Sequence, residues 1–327
     1  MLKKSLTVAA ATLAMMTTAS AQELRLADFH PPTHFVLETT HQPFVDAIEE
    51  ATDGEVTVSL FMGGELGPGP AEQYNRAVDG VADIAFTLPG YTASTFPKTL
   101  LAELPGVITA ETGTQALLDN IDMLSDEYRR VTLLGIWNNA PNLLFTANTP
   151  VRSLEDLAGL KLRVPSRNAG LVVEAWGASP VSMPATEIYN AMQTGVIDGA
   201  MIDTTTLGGF RLEEVTNYIT VGMDTSISLF FLVMNRDSFA ELSEEHQQAV
   251  LDAGRQASLN GNEAWLGVAE QALADFEATE GKEVIHLTAE QAQPFNEAAA
   301  TVVEGVIEEV EAQGVDASAF VDALKDG

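Results

Sequence analysis

A short motif occurs twice in the chain, 115 positions apart. The first copy is Glu72-Gln73-Tyr74-Asn75 followed by Gly80-Val81-Ala82-Asp83-Ile84-Ala85. The second is Glu187-Ile188-Tyr189-Asn190 followed by Gly195-Val196-Ile197-Asp198-Gly199-Ala200. Each copy predicts a helix that ends at a C-cap glycine, with a short buried strand after it. The repeat therefore predicts two similar α/β lobes, and a chance similarity of two short segments is the alternative.

The N-terminus has the composition of a signal peptide for export. Lys3-Lys4 is basic, Leu6–Met16 is apolar, and Ala19-Ser20-Ala21 supplies the small residues that a signal peptidase recognises. The apolar segment is shorter than a membrane-spanning helix, and a buried N-terminal helix is the alternative interpretation. We expect the mature chain to start at Gln22 in the periplasm. The remaining chain of about 306 residues exceeds what one core usually covers, which again favours two lobes.

Charge and cysteine content exclude several classes of function. The formal net charge is −31, and it becomes −33 once the two lysines of the signal peptide are removed. This charge argues against nucleic acid and anionic lipid as partners, so an anionic ligand would need a local site built from arginine. The chain has no cysteine, which excludes disulfides, thiolate nucleophiles and cysteine metal sites.

Hydrophobic patterning predicts strands and helices in alternation, and hence an α/β fold. In the first half we predict the strand Leu24–Ala27, the helix Phe35–Ala51 and the strand Val56–Leu60. In the second half, a capped short helix at Ser153–Leu157 precedes the strand Leu160–Val164. After the signal peptide, no apolar run approaches the roughly 20 residues of a membrane span.

The last hundred residues predict a return strand and two long helices. Leu229–Asn235 is strongly strand-like, and we expect it to carry the chain back to the first lobe. One long helix is predicted from Ser243 and another over Thr288–Ala312, both rich in Ala, Glu and Gln. The predicted lobe I comprises residues 22–140 and 229–267, and lobe II comprises residues 141–228 and 268–327 with bracing helices.

Several segments together resemble one family of transport proteins. They are Gly63–Gly67, Pro150–Pro165, Gly177–Pro184, Glu187–Tyr189 and Gly195–Gly199. Their residues are similar to those of the solute-binding (DctP-type) subunits of tripartite ATP-independent periplasmic (TRAP) transporters. The order of elements also agrees with that family through most of the mature chain.

The resemblance implies a two-lobed periplasmic binding protein fold (type II-like) with long bracing C-terminal helices. It implies a protein that captures a small organic acid between its lobes and is not an enzyme. It also implies a membrane partner made of a small and a large integral subunit, with uptake driven by a sodium gradient. We expect a monomer without a cofactor.

Arg163 is the first candidate for binding the ligand. It lies at the carboxyl end of a predicted strand, where open α/β sheets place ligands, and a guanidinium can hold a carboxylate through two parallel hydrogen bonds. The resemblance implies this contact, and a surface arginine paired with a carboxylate is the alternative. Leu143, Ile202 and Ala185 stand where sialic-acid-binding members carry an arginine, an asparagine and an aromatic residue. Because these positions are apolar or small here, we expect a compact acid with an apolar or aromatic body.

Other candidates follow the predicted strands, where they could reach a cleft between the lobes. For the aromatic residues core packing is the alternative, and Asp203 could orient Arg163, accept a ligand hydroxyl or cap a helix. Glu65 lies in the glycine-rich loop before the first repeat, a loop that either contacts an anion or only turns the chain. Arg167 is a possible second anion contact. The remaining candidates are Phe29, His30, Phe86, Tyr91, Trp137, Asn138 and Thr204.

Other interpretations of the sequence remain open beside the TRAP interpretation. His30, His34 and His41 invite a zinc site, but no fixed carboxylate partner is evident, so we predict no metal. A periplasmic lyase or hydrolase is an alternative, although the chain has no G-x-S-x-G, H-E-x-x-H or G-x-x-x-x-G-K motif. A binding protein for an ATP-driven transporter or a sensor is another, and a C4-dicarboxylate or a sugar acid is the alternative ligand.

Overall fold

The computed structural model describes residues 21–326, and the strands in this range form two separate sheets. The predicted signal peptide lies outside the described residues except for Ala21. The strands are β1 (Gln22–Ala27), β2 (Val56–Phe61), β3 (Ile84–Thr87), β4 (Val131–Asn138), β5 (Leu143–Thr146), β6 (Lys161–Val164), β7 (Ser179–Ser182), β8 (Gly199–Ile202), β9 (Tyr218–Val221), β10 (Leu229–Asn235) and β11 (Glu283–His286).

Helices lie between and after these strands, which confirms the predicted α/β fold. The α-helices are α1 (Gln42–Ala51), α2 (Gln73–Val78), α3 (Gly113–Asp119), α4 (Arg167–Ala175), α5 (Ile188–Gln193), α6 (Thr206–Gly209), α7 (Arg236–Ala240), α8 (Glu244–Ala278), α9 (Ala289–Ala312) and α10 (Ala317–Asp326). Short 3-10 helices include Pro70–Glu72, Thr99–Glu103, Leu154–Leu157 and Ala185–Glu187, and a π-helical turn at Leu37–His41 leads into α1. Within residues 21–326, no helix is both long and apolar enough to cross a membrane.

Each sheet is mostly parallel and contains one central antiparallel strand. The first sheet has the order β2-β1-β3-β10-β4, in which β10 runs antiparallel to both neighbours. The second has the order β11-β9-β5-β8-β6-β7, in which β5 is antiparallel to β8 and β9. All seven residues of β10 are buried, and the strand returns the chain to the first sheet as predicted. The two sheets correspond to the two predicted lobes. The exact boundaries of the lobes remain a prediction.

The repeated motif builds the same structure in both halves. Each copy begins with a 3-10 turn and a six-residue helix, α2 or α5. A glycine with positive φ then ends the helix, with φ of 70° at Gly80 and 73° at Gly195. In both turns the next residue's N–H bonds back to a helix carbonyl, Val81 to Arg76 and Val196 to Ala191, at 2.9 Å. The C-cap glycines are therefore observed as predicted.

The repeated aspartate fixes the register of the neighbouring strand. Asp83 makes two hydrogen bonds to the backbone of Arg25. Its N–H donates to the Arg25 carbonyl at 3.0 Å, and its Oδ2 accepts from the Arg25 N–H at 2.9 Å. Asp198 makes the same two contacts with Lys161, both at 2.8 Å. This places β1 beside β3 as β6 lies beside β8, so that Ala27 occupies the position that Arg163 has in the second half.

The two predicted long helices connect the halves. Helix α8 packs on β4 so closely that a Cβ on Gly254 would lie 2.2 Å from the Leu134 carbonyl oxygen, and its far end reaches β11. Helix α9 accepts a hydrogen bond from Trp176 Nε1 at the Phe295 carbonyl, while Val306 packs in a core cluster of the first half. Helix α10, predicted with lobe II, packs against α3 and the turn Thr99–Glu103.

Candidate ligand-binding cavity

A cavity of about 400 Å³, its opening to solvent included, lies between the two sheets. Five aromatic residues from distant parts of the chain line it: Phe29, Tyr91, Phe210, Phe230 and Trp265. Trp265 comes from α8, and its ring centroid lies 4.6 Å from that of Phe230. The walls therefore suit a flat, apolar molecule.

Arg163 supplies the guanidinium of this cavity. Its side chain is only 1% exposed, although it carries a charge. Nε donates to the Met183 carbonyl at 2.9 Å and Nη1 to the Met201 carbonyl at 3.2 Å, so the strands on either side of β6 fix its orientation. The Tyr91 hydroxyl also lies in hydrogen-bonding contact with the guanidinium. Nη2, which bonds to neither of the two carbonyls, is the nitrogen that can donate to a carboxylate.

Burial lowers the pKa of Arg163 from its ordinary value, while Tyr91, Asp203 and Glu103 act in the opposite direction. A guanidinium still keeps its proton at neutral pH, so the cavity contains a buried cation. A buried cation is stabilised by a partner of opposite charge, and removing such a partner costs several kcal/mol. This arrangement favours an anionic ligand.

Most of the other polar groups in the cavity bond to one another. Asp203, which follows β8, accepts from Asn139 Nδ2 at 2.7 Å and from the Thr205 N–H at 2.9 Å. Burial raises the pKa of Asp203, and these hydrogen bonds oppose the shift. Asn139 also accepts from the Ser228 N–H at 2.7 Å, and Asn142 donates to the Ser228 hydroxyl at 3.0 Å. The network ties the end of β8 to the two chain segments that cross between the sheets.

A second polar cluster lies at the first-sheet side of the cavity. The buried carboxyl of Asp28 contacts His30 Nδ1 at 2.9 Å and His41 Nε2 at 2.7 Å. Burial by itself would raise the pKa of Asp28, but the interactions with His30 and His41 hold it well below its ordinary value. His30 and His34 line the cavity, and their rings lie side by side with centroids 4.1 Å apart and an angle of 36° between the ring planes. In residues 21–326, no three His, Asp or Glu side chains are arranged to hold a metal ion.

Comparison with known proteins identifies the family. The sequence model of the bacterial extracellular solute-binding protein family 7 (DctP) matches residues 26–309. The chain belongs to this family. The ectoine/5-hydroxyectoine-binding periplasmic protein UehA of Ruegeria pomeroyi is 31% identical, over 92% of this chain and 90% of UehA. The family match and these relatives show that the chain is a TRAP-type solute-binding subunit, as the sequence motifs predicted.

Two solved structures share both the family and the fold. A marine metagenome TRAP solute-binding protein, specific for aromatic acid ligands and in complex with metahydroxyphenylacetate, has a TM-score of 0.87. It is 26% identical and covers 93% of this chain and 98% of its own. A TRAP solute-binding protein from Bordetella bronchiseptica with bound (R)- and (S)-mandelate has a TM-score of 0.85 and 29% identity, covering 93% and 98%.

In this TRAP solute-binding protein, seven of the predicted ligand-binding residues line the cavity. They come from both halves of the chain, and each lies at or shortly after the carboxyl end of β1, β3, β6, β7 or β8. They are Phe29, His30, Tyr91, Arg163, Ala185, Ile202 and Asp203. The predicted differences from sialic-acid-binding members at Ile202 and Ala185 therefore concern residues of the cavity wall.

Four predicted residues do not line the cavity. Trp137 is fully buried against Phe86, Phe230 and Trp265, because strand alternation turns it toward α8. Asn138 bonds Thr114 and the Ala110 carbonyl within the first half. Leu143 lies opposite Ile202 in the second sheet and packs in the core cluster behind it. Glu65 is exposed in its loop.

The other considered residues have structural partners. Arg167 pairs with Glu309 at 2.9 Å on the surface, and Phe86 stacks in the first-half core. Thr204 donates to the Ala269 carbonyl at 2.6 Å. Sequence reasoning missed Phe210, Phe230 and Trp265, because only the path of the chain brings them to Arg163.

Proposed function

We propose that this protein captures a monocarboxylate with an aromatic or similarly compact apolar body and delivers it to TRAP membrane subunits. The observation that supports the proposal is the buried guanidinium of Arg163, whose Nη2 bonds to neither of the carbonyls that orient the side chain, in a cavity with five aromatic residues in its walls. The carboxylate would bind Arg163 and the ring would lie between Phe29, Phe210 and Trp265. Closure around the acid excludes water, which strengthens the ion pair.

The polar groups of the cavity argue against a highly hydroxylated sugar acid. Asp203, Asn139 and Asn142 are already hydrogen-bonded to protein groups, so several sugar hydroxyls would lose their water partners without replacement. The solved relatives with an aromatic acid or mandelate point to the same class of ligand. UehA makes ectoine a further compound to test.

The test is a ligand screen on the protein that starts at Gln22, by thermal shift and then isothermal titration calorimetry. A panel would contain benzoate, phenylacetate, glucuronate, succinate and ectoine. Aromatic acids should raise the melting temperature most, because ligand that binds only the native state stabilises it. A strong response to glucuronate with none to the aromatic acids would overturn the proposal. Recovery of the bound acid unchanged after long incubation would exclude a lyase or hydrolase activity toward it.

A further inference from the structure

The hydrogen-bonding groups in the cavity differ in whether the protein already satisfies them. Asp203 accepts from Asn139 and Thr205, and the Thr206 hydroxyl donates to the Asp203 carbonyl at 2.7 Å. Asn142 donates to the Ser228 hydroxyl. Because buried polar groups are normally paired, groups with protein partners do not need the ligand. Unpaired atoms on the residues that line the cavity are the ones available to a ligand.

His30 and His34 each have one unpaired nitrogen. Nδ1 of His30 contacts the Asp28 carboxylate at 2.9 Å, and Nδ1 of His34 accepts from the Val36 N–H at 3.3 Å. Among residues 21–326, neither Nε2 atom has a hydrogen-bond partner. Both rings line the cavity, although each residue is only 3% exposed. The two Nε2 atoms are therefore the ring nitrogens left for a ligand.

The partners of the Nδ1 atoms determine which Nε2 donates and which accepts. The Asp28 carboxylate is ionised and can only accept, so His30 carries a proton on Nδ1, and in the neutral form of this ring Nε2 is an acceptor. Nδ1 of His34 accepts from a backbone N–H, so its proton is on Nε2. Burial lowers the pKa of His34 to about 2, which keeps this ring neutral. With His30 neutral, one acceptor and one donor thus lie on two neighbouring rings.

We propose that Nε2 of His30 and Nε2 of His34 together bind a hydroxyl group of the captured acid. A hydroxyl fits both atoms, because its hydrogen can go to His30 while its oxygen accepts from His34. The inference rests on the proposed function, since Arg163 holds the carboxylate of the same molecule. The ligand class is then a hydroxylated aromatic acid that joins the two halves, its carboxylate on the second and its hydroxyl on the first.

The experiment compares each parent acid with its hydroxylated form by calorimetry. The pairs are benzoate with 3-hydroxybenzoate, and phenylacetate with both mandelate and 3-hydroxyphenylacetate, which place the hydroxyl at different distances from the carboxylate. For the best-fitting pair, wild-type protein should bind the hydroxy acid about tenfold more tightly or better, the equivalent of one or two hydrogen bonds. The affinity ratio within a pair is the readout.

Two variants remove the imidazole ring with its Nε2 but keep a polar group that can replace Nδ1. In His30→Asn the side-chain amide can still donate to Asp28, and in His34→Asn the side-chain oxygen can still accept from the Val36 N–H, as asparagine does in Asx turns. Each should bring the ratio toward one. Thr206→Val is the matched control, since that hydroxyl is bonded to the Asp203 carbonyl, and it should change the ratio by less than about twofold.

The outcomes separate the two proposals. If no acid of the panel binds, the proposed function is wrong. If the parent acids bind but no hydroxy acid binds more tightly, the hydroxyl site is wrong while the function stands. If succinate binds more tightly than every aromatic acid, the proposed function is wrong. A ratio that both Asn variants retain would also overturn the site.

Discussion

The two repeated units have the same backbone but contribute different chemistry to the cavity. In both, an aspartate and a glycine hold a helix against a pair of parallel strands in the same register. Yet the position of Ala27 in the first unit is taken by Arg163 in the second. The second half therefore supplies the buried cation, whereas the first supplies aromatic rings and the histidine pair.

This difference shows that separate residues specify the fold and the ligand. The repeated Asp and Gly positions set strand register and helix ends, and they lie away from the cavity. The ligand chemistry depends on the strand ends and the residues just beyond them, such as Arg163, Asp203 and His30, where the two copies are unrelated. A repeat of this kind can keep its backbone while its ligand changes.

The largest effect is expected from removing the cation. Arg163→Ala gives the second unit the residue that the first unit has at the same position. We expect acid binding to weaken by about 3–5 kcal/mol, because a desolvated carboxylate loses its charge partner. Calorimetry with the best acid of the panel would measure the change. Arg167→Ala is the control, since this arginine is paired with Glu309 on the surface. If the affinity of Arg163→Ala stayed within about threefold of wild type, the assignment of Arg163 would be contradicted.

A second prediction concerns Glu103, an acidic side chain that the first half places near Arg163. Glu103 is buried, its Oε1 accepts from the Leu229 N–H at 3.3 Å, and its Oε2 has no partner among the described residues. Burial raises its pKa to about 7, although Ser166, Leu229 and Arg163 oppose the shift. The folded protein thus keeps a proton that the unfolded chain releases near pH 4.5. Its stability should fall as the pH rises between these values.

Glu103→Gln removes this titration. The free energy of unfolding of the variant minus that of wild type should rise between pH 4.5 and 7, by at most about 3 kcal/mol. Urea unfolding at several pH values would measure it. The difference removes the contributions of other buried acids, such as Asp203 and Glu127, whose pKa values burial also raises. A difference that does not vary with pH would show that Glu103 is ionised throughout.

The sequence predicted the parts of the site that depend on local pattern. Arg163 and Asp203 were found because each ends a recognisable strand, and the long helices because their composition and N-caps are local signals. Trp137 also ends a strand, but its side chain faces α8, where a Cβ on Gly261 would lie 2.7 Å from the indole. No local pattern reports which helix covers which face of a sheet. For the same reason Trp265 was missed.

The smallest effect tests whether the two units really are equivalent in their backbones. Gly80→Ala and Gly195→Ala each place a Cβ at a φ near +70°, but neither Cβ would meet an atom closer than 3.7 Å. Each should therefore lower the free energy of unfolding by about 1 kcal/mol, the cost of a left-handed conformation with a side chain. Gly267→Ala, in the exposed middle of α8, should instead raise it by about 0.5–1 kcal/mol. Unequal losses at Gly80 and Gly195, measured by urea unfolding, would mean that the two turns are held by different contacts.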